Sequence, residues 1–133
     1  MKTIRLLVAS LIVATSLFAA EKAPFVANIS SGAPDKVMMA TMMTSKFQKA
    51  GHATTVFLNC KAVLAASKVH AEYAEAQKNL KKIIKNGGTV LVCPMCIERN
   101  NIDPKNLLEG STVANHQLVE KAVFADDARV LSW

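Results

Sequence analysis

Short apolar runs alternate along the chain with longer segments of mixed apolar and polar residues. Five runs are rich in β-branched or other apolar residues and are bounded by Gly, Pro, Asn or Ser, which is typical of β-strands. These predicted strands cover residues 25–30, 53–59, 89–93, 111–114 and 128–132. Helical segments are predicted between them at 34–50, 61–86, 95–100, 103–110 and 115–125, and a break in the second is expected near 67–70.

The residues at the ends of these segments support the predicted helices. Gly51 follows the first helix where a helix C-terminal glycine belongs. Lys81, Lys82 and Lys85 lie near the end of the second helix, where positive charge suits the negative end of the helix dipole. Strands that alternate with helices imply a mainly parallel sheet that is covered on both faces. The pattern therefore predicts an α/β fold, a single-domain three-layer α/β/α sandwich with a five-stranded sheet, over residues 21–133.

The first twenty residues differ in composition from the rest of the chain. Lys2 and Arg5 precede Leu6–Ala20, a run of fifteen residues without a charge. A membrane-spanning helix needs about 20 apolar residues, whereas a basic start and a shorter apolar run are typical of a secretory signal peptide. We therefore predict that Met1–Ala20 is a signal peptide and that the mature domain is periplasmic. An uncleaved membrane anchor is the alternative.

Charge and composition narrow the function classes further. The 133 residues suffice for one domain, and the formal net charge is +6, from 16 basic and 10 acidic side chains. Two of the basic residues, Lys2 and Arg5, belong to the predicted signal peptide, which leaves 14 basic and 10 acidic side chains and a net charge of +4. Nucleic acid is not expected as a partner, because no aromatic residues are interleaved with the basic helix face of Lys78, Lys81, Lys82 and Lys85. No phosphate-binding loop surrounds Ser31-Gly32, so no nucleotide cofactor is predicted.

All three cysteines lie at predicted carboxyl ends of strands. Cys60 follows the second strand, Cys93 ends the third, and Cys96 comes three residues later. In open α/β sheets, functional sites form beyond the carboxyl ends of the strands. His116 follows the fourth strand at a predicted helix N-terminus and belongs to the same edge. We therefore take Cys93 and Cys96 as candidate catalytic residues, with Cys60 and His116 as candidate auxiliary residues.

The motif Cys93-Pro94-Met95-Cys96 fits a strand end that leads directly into a helix. Because a residue before proline is pushed toward extended conformations, Cys93 can be the N-cap and Pro94 the first helical residue. Free amide hydrogens and the helix dipole favour the thiolate form of Cys93. Cys96 would then lie one turn along, close enough to form a disulfide with Cys93 or to receive sulfur from it. A structural zinc site, a structural disulfide and a thioredoxin-like oxidoreductase remain alternatives.

The other soft or titratable side chains give weaker signals. Thioethers bind Cu(I), but methionine on a helix is more often a packing or subunit-interface residue, as expected for Met38, Met39, Met42 and Met43. His52 is expected at a turn before the second strand, and His70 at the surface. No metal ligand is therefore predicted.

Residues 50–59, 88–96 and 107–132 resemble, in order and spacing, segments of the DsrE/DsrF-like family. The resemblance covers about residues 25–133. It implies a flavodoxin-like α/β/α domain that forms homo- or hetero-oligomers, either trimers or hexamers. In sulfur-transfer members of this family, a cysteine at the end of the third strand carries a persulfide, and the resemblance gives that role to Cys93. Other members have a Cys-x-x-Cys-like pair here, which brings in Cys96.

The combined prediction is a periplasmic sulfur-handling protein. It would carry or transfer sulfane sulfur as a persulfide on Cys93, or perform thiol redox chemistry at the Cys-Pro-Met-Cys motif; whether it is a sulfurtransferase enzyme is left open. The expected partners are small sulfur compounds or thiol and persulfide proteins, together with further copies of the chain. No cofactor, no nucleic acid and, after signal cleavage, no membrane is expected. The alternative is a non-catalytic oligomeric binding module for a soft metal (copper or zinc) or for a partner protein.

Export is the first testable prediction. Since the uncharged run behind Lys2 and Arg5 reads as a signal peptide, N-terminal sequencing of the protein from cells should begin at Ala20 or Glu21. An intact Met1 on protein recovered from the cytosol would contradict it.

Overall fold

Five parallel strands form one sheet in the computed structural model, which describes residues 21–133. The predicted signal peptide lies outside the described residues. In chain order, the strands are β1 (Phe25–Ile29), β2 (Thr54–Leu58), β3 (Thr89–Val92), β4 (Thr112–Val113) and β5 (Arg129–Ser132). Their order across the sheet is β4-β3-β2-β1-β5, and every adjacent pair is parallel. The predicted single-domain α/β architecture with a five-stranded sheet is confirmed.

Four α-helices connect the strands, and most lie where the sequence predicts them. They are α1 (Pro34–Lys49), α2 (Ala74–Lys85), α3 (Pro94–Arg99) and α4 (His116–Val123). Short 3-10 helices cover Cys60–Ala66, Ala71–Tyr73 and Pro104–Asn106. Within the described part of the chain, no helix has the length and hydropathy needed to cross a membrane.

Capping residues explain where two of these helices begin and end. The side chain of Asn115 accepts a hydrogen bond from the amide of Leu118 at 2.8 Å and so caps the N-terminus of α4, as predicted. Gly51 follows α1 with φ of 101°, in the left-handed region that glycine adopts without steric cost.

The predicted second helix, 61–86, is only partly right. The chain breaks near residues 67–70 as expected, but the part before the break is a tight 3-10 helix instead of an α-helix. Its alanine-rich sequence favours an α-helix by propensity, but four of its residues are buried: Ala62, Val63, Ala65 and Ala66. The isolated bridge between Ser67 and Leu107 then ties the end of this segment to the loop before β4. Tertiary packing therefore decides the local helix type here.

The core lies between one face of the sheet and the pair α1 and α2. Ile29, Leu58 and Val92 from adjacent strands are fully buried there, as are Leu80 and Ile83 from α2. Where α1 faces α2, small residues let the two helices approach closely, and the buried hydroxyls of Thr41 and Thr44 bond to carbonyls one turn earlier in α1.

The opposite face of the sheet is also covered, as predicted, but less completely than the first. Of the helices within residues 21–133, α4 alone lies against it, beside Phe57 and Leu91, and none of its eight residues is buried. The edge strands β4 and β5 are exposed along their full length. Phe124, which follows α4, is 80% exposed, and Leu131 of β5 is 50% exposed. Exposed apolar side chains therefore lie at the end of α4 and on β5, in addition to Met39 of α1, which is 45% exposed.

Oligomerisation remains a prediction, and the structure suggests where to test it. We expect a trimer or a larger assembly by light scattering, because burying Phe124 and the apolar side chains of β5 against another copy would remove their apolar surface from water. Phe124→Glu should shift the assembly toward monomer. Val69→Glu, at an exposed position just before the 3-10 helix Ala71–Tyr73, is the matched control and should leave it intact. A clean monomer of the unmodified protein at micromolar concentration would contradict the prediction.

Candidate active site

The pairing of β2 with β3 brings the three cysteines to one edge of the sheet. Leu58 and Val92, the last residues of the two strands, are partners in the parallel ladder. The amide of Cys93 continues that ladder by donating to the carbonyl of Leu58 at 3.0 Å. Cys60 lies two residues beyond Leu58, so its position relative to Cys93 is fixed by the strand register. The structure places the three cysteines at the carboxyl edge of the sheet, where the sequence analysis expected them.

Cys93 and Pro94 have the local conformations that the sequence predicts. Cys93 is the N-cap of α3 with φ of −63° and ψ of 118°, and Pro94 is the first helical residue. The Cys93 side chain makes no capping hydrogen bond. Because the backbone alone defines this helix start, the sulfur of Cys93 is available for other contacts. Cys96 follows within α3 and is half-buried, as Cys93 is.

Cys60 approaches Cys96 through its backbone. The amide of Cys60 donates to Sγ of Cys96 with N and S 3.1 Å apart. Cys60 adopts a left-handed conformation with φ of 48°, and its side chain is exposed. The side chain of the preceding residue, Asn59, bonds to Asn28 of β1, which anchors the turn. The sequence places Cys60 at this edge, but its contact with Cys96 depends on a turn that a sequence pattern does not reveal.

Asn100 joins the two cysteine-bearing segments and was missed by the sequence analysis. Its Nδ2 donates to the carbonyl of Cys96 at 2.8 Å and to the carbonyl of Cys60 at 3.3 Å. Its Oδ1 accepts from Nζ of Lys61 at 2.8 Å. The spacing of four residues from Cys96 to Asn100, one helical turn, is the only signal for this role in the sequence. The contacts to Cys60 and Lys61 bridge about forty residues and require the fold.

The loop after β1 closes this side of the cluster. A Cβ atom on Gly32 would lie 2.6 Å from Cβ of Lys61, so no larger residue fits there without moving Lys61. The hydroxyl of Tyr73 donates to the carbonyl of Gly32 at 2.6 Å and holds the loop in place. The loop therefore limits where the side chain of Lys61 can go and supports its contact with Asn100.

A mainly apolar groove of about 470 Å³ lies on the other side of the cluster. Cys93 contributes to its wall, and Cys60 and Cys96 do not. The remaining wall comes from the end of β2, the start of α3, and α4 with its flanks: Phe57, Pro94, Met95, Ala114, Asn115, His116, Val119, Glu120, Val123 and Phe124. The three cysteines thus have different surroundings, since Cys93 faces an apolar groove and Cys60 is exposed beside Lys61.

His116 shares this groove with Cys93, as the sequence analysis proposed for a residue at the same edge. Its side chain is 82% exposed, and its Nδ1 lies 3.4 Å from Oε2 of Glu120 one turn along α4. The imidazole therefore has a carboxylate beside it and free access to solvent and to the groove.

Burial raises the pKa of the Cys96 thiol above its ordinary value. A hydrogen bond with the Cys93 side chain raises this pKa further, and the amide of Cys60 acts in the opposite direction because it stabilises the thiolate. Cys96 is therefore a neutral thiol at neutral pH.

The other candidate residues lie away from this cluster. Nδ1 of His52 is 2.6 Å from the carbonyl of Ala23, which anchors the segment before β1. Nδ1 of His70 is 3.1 Å from Oε1 of Glu72 near the surface. Within residues 21–133, no group of three or more His, Cys, Asp or Glu side chains is arranged to hold a metal ion. The cysteine cluster and the groove are therefore the site that the geometry defines.

The fold and this site define a single-domain α/β protein with a cysteine cluster at the carboxyl edge of its sheet. A family model described as the DsrE/DsrF-like family matches residues 17–131, and the chain belongs to this family. Membership associates the protein with sulfur-relay chemistry in general. No curated protein sequence is detectably similar to the chain.

Solved structures share the fold at low sequence identity. The YchN protein of E. coli superposes with a TM-score of 0.69 at 19% identity, over 85% of this chain and 99% of that one. A protein of unknown function from Methanobacterium thermoautotrophicum, MTH1491, gives a TM-score of 0.69 at 13% identity, over 84% of this chain and 100% of that one. The predicted three-layer α/β architecture is thus shared with both.

The raised pKa of Cys96 has a measurable consequence. Its alkylation should reach half of the maximal rate at a higher pH than that of an ordinary exposed thiol, because only the thiolate reacts. Cys93→Ser should move that midpoint to lower pH, since it removes the contact with the Cys93 thiol. Cys60→Ser keeps the backbone amide that bonds to Cys96 and should change the midpoint less. Iodoacetamide labelling across pH, resolved by peptide mass spectrometry, measures all three. A midpoint for Cys96 below that of a free thiol would contradict the assignment.

Proposed function

We propose that the protein is a periplasmic sulfur carrier that holds sulfane sulfur as a persulfide on Cys93. The observation that supports this most directly is the position of Cys93, which contributes to an apolar groove while Cys96 lies one helical turn behind it. A persulfide needs one accessible sulfur and a neighbouring group that can receive or release it. The family membership is consistent with this role.

Loading would begin when the Cys93 thiolate attacks the outer sulfur of a donor persulfide. A bond forms between Sγ of Cys93 and that sulfur, and the bond between the donor's two sulfurs breaks. The donor leaves as a thiolate, keeps the electron pair and takes up a proton. His116, which shares the groove and has Glu120 beside it, is placed to supply that proton. No external oxidant or reductant is consumed, because one persulfide is exchanged for another.

Two outcomes are open to the loaded Cys93, and both involve Cys96. An acceptor thiolate can remove the outer sulfur and restore the Cys93 thiolate. Alternatively, the Cys96 thiolate can attack the inner sulfur, which forms a Cys93–Cys96 disulfide and releases hydrosulfide. The disulfide must then be reduced by a dithiol partner before another cycle. Because little of Cys96 is thiolate at neutral pH, attack by Cys96 lags behind loading, and the persulfide forms on Cys93 before its sulfur moves on.

The apolar groove also gives support to the alternative, a binding module for a partner protein. Its lining is mainly apolar, and Phe124 at its rim is 80% exposed, which suits contact with an apolar side chain of a partner. The two functions differ in their chemistry. A carrier holds labile sulfur, whereas a binding module retains its partner without acquiring any.

Persulfide loading tests the proposal directly. The reduced protein, treated with inorganic polysulfide, should gain the mass of one sulfur atom, and the gain should disappear on reduction. Cys93→Ser should abolish loading at this position, since serine is too weakly acidic to replace the thiolate. Cys96→Ser should still load Cys93 and should retain the persulfide longer, because the thiol that resolves it is gone.

The matched variants also show what would contradict the proposal. If Cys96→Ser no longer loads Cys93 while Cys93→Ser still loads Cys96 fully, the two roles are reversed. A protein that never acquires labile sulfur would exclude the carrier and favour the binding module.

A further inference from the structure

Cys96 lies between the other two cysteines, and only one of those two faces the groove. The amide of Cys60 donates to Sγ of Cys96, and Cys93 lies one helical turn before Cys96, at the N-cap of the same helix. Cys93 lines the groove next to α4, whereas Cys60 is exposed on the side of Lys61. A sulfur atom bound at Cys93 therefore has a path to a second surface through the Cys96 thiol.

We propose that the three cysteines form a directional relay in which sulfane sulfur enters at Cys93, passes to Cys96 and is presented to acceptor thiols by Cys60. This inference rests on the proposed loading of Cys93 and adds the exit for the sulfur. It makes Cys60 a second reactive residue and separates the entry surface from the exit surface. The donor and the acceptor could then bind the protein without competing for one thiol.

Each transfer balances without an added oxidant or reductant. The Cys96 thiolate attacks the outer sulfur of the Cys93 persulfide, and the Cys93 thiolate leaves with the electron pair. The Cys60 thiolate then attacks the outer sulfur on Cys96, and the Cys96 thiolate leaves in the same way. One sulfur–sulfur bond forms and one breaks in each step; the attacking thiol first gives up its proton to water, and the leaving thiolate takes one up from water.

The contact between Cys60 and Cys96 favours the second step. When sulfur moves from Cys96 to Cys60, negative charge develops on Sγ of Cys96, which is otherwise a poor leaving group because its pKa is raised by burial. The amide of Cys60, with its nitrogen 3.1 Å from that sulfur, stabilises the charge as it forms. Cys60 thus accepts the sulfur with its thiol and, through its backbone amide, helps the Cys96 thiolate to leave.

Asn100 and Lys61 hold Cys60 next to Cys96. Asn100 donates to the carbonyls of both Cys60 and Cys96, so it links the turn after β2 to α3. Lys61 is bonded to Asn100 and adds positive charge beside the exposed Cys60. Such a surface suits an acceptor in its anionic thiolate form. Asn100 is a positioning residue in this relay, since it bonds to backbone carbonyls and not to the reacting sulfurs.

The experiment follows the position of the sulfur over time. The reduced mature protein receives a limiting amount of inorganic polysulfide, samples are quenched by alkylation, and persulfides are located by peptide mass spectrometry. In the unmodified protein, the persulfide should form first on Cys93 and then, after a lag, on Cys60. In Cys96→Ser, where the serine oxygen can still accept the bond from the Cys60 amide, Cys93 should load normally. Sulfur should then reach Cys60 at least about tenfold more slowly, because an exchange within the site becomes an encounter in solution.

Two further variants complete the test. Asn100→Ala retains all three thiols and should load Cys93 at the unmodified rate while transfer to Cys60 slows. Cys93→Ser measures how fast polysulfide reaches Cys60 directly from solution, and this rate should be well below that in the unmodified protein.

The outcomes distinguish the relay from the carrier function on which it rests. If Cys60 acquires sulfur as fast in Cys96→Ser or in Cys93→Ser as in the unmodified protein, the relay is overturned. Cys93 that loads while Cys60 never does overturns the relay but leaves the carrier function standing. Failure of Cys93 to load in the unmodified protein removes the carrier function and the relay together.

Discussion

The hydrogen-bonded ladder between β2 and β3 is the constraint on which the whole site depends. It pairs Leu58 with Val92 and extends one step further, from the amide of Cys93 to the carbonyl of Leu58. This fixes the heights at which the two strands end, and therefore the points from which the next turns begin. The start of α3 and the 3-10 helix after β2 then leave the sheet side by side. A shift of one residue in the register would turn the strand side chains to the wrong face and would separate the cysteines.

The chain order across the sheet places the groove beside Cys93 where successive helices leave the sheet on opposite faces. The strand β3 leads into α3 on the side of α1 and α2, whereas β4 leads into α4 on the other side, and in many α/β proteins a ligand occupies the crevice between two such strand ends. At β1 and β5 the chain itself fills this edge, since the amides of Ser30 and Ser31 both donate to the main-chain oxygen of Trp133. The neighbouring strand ends of β2 and β3 carry the cysteines. The carboxyl edge of the sheet thus holds the C-terminal residue between β1 and β5 and the cysteines at β2 and β3.

The sequence predicts much of this arrangement because strong local signals coincide with the fold. The proline after Cys93, the capping residue Asn115 and the glycine after α1 each act over a few residues, and each lies where the pattern indicates. The contacts that join Cys60 to Cys96 and Lys61 to Asn100 were not predicted, because they connect segments about forty residues apart. The exposure of β5 was not predicted either. An apolar strand in the sequence looks the same whether one helix or several cover it.

The backbone conformation of Cys60 shows what the chain gives up to have a thiol at this point. A side chain in the left-handed region carries a steric cost of about 1 kcal/mol, which glycine would avoid. Asparagine is also tolerated better there than most residues. Cysteine at this position therefore lowers the free energy of unfolding, and selection for folding alone would tend to remove it. A lineage that no longer needed the thiol would be expected to drift toward glycine or asparagine at residue 60 and become more stable as it did so.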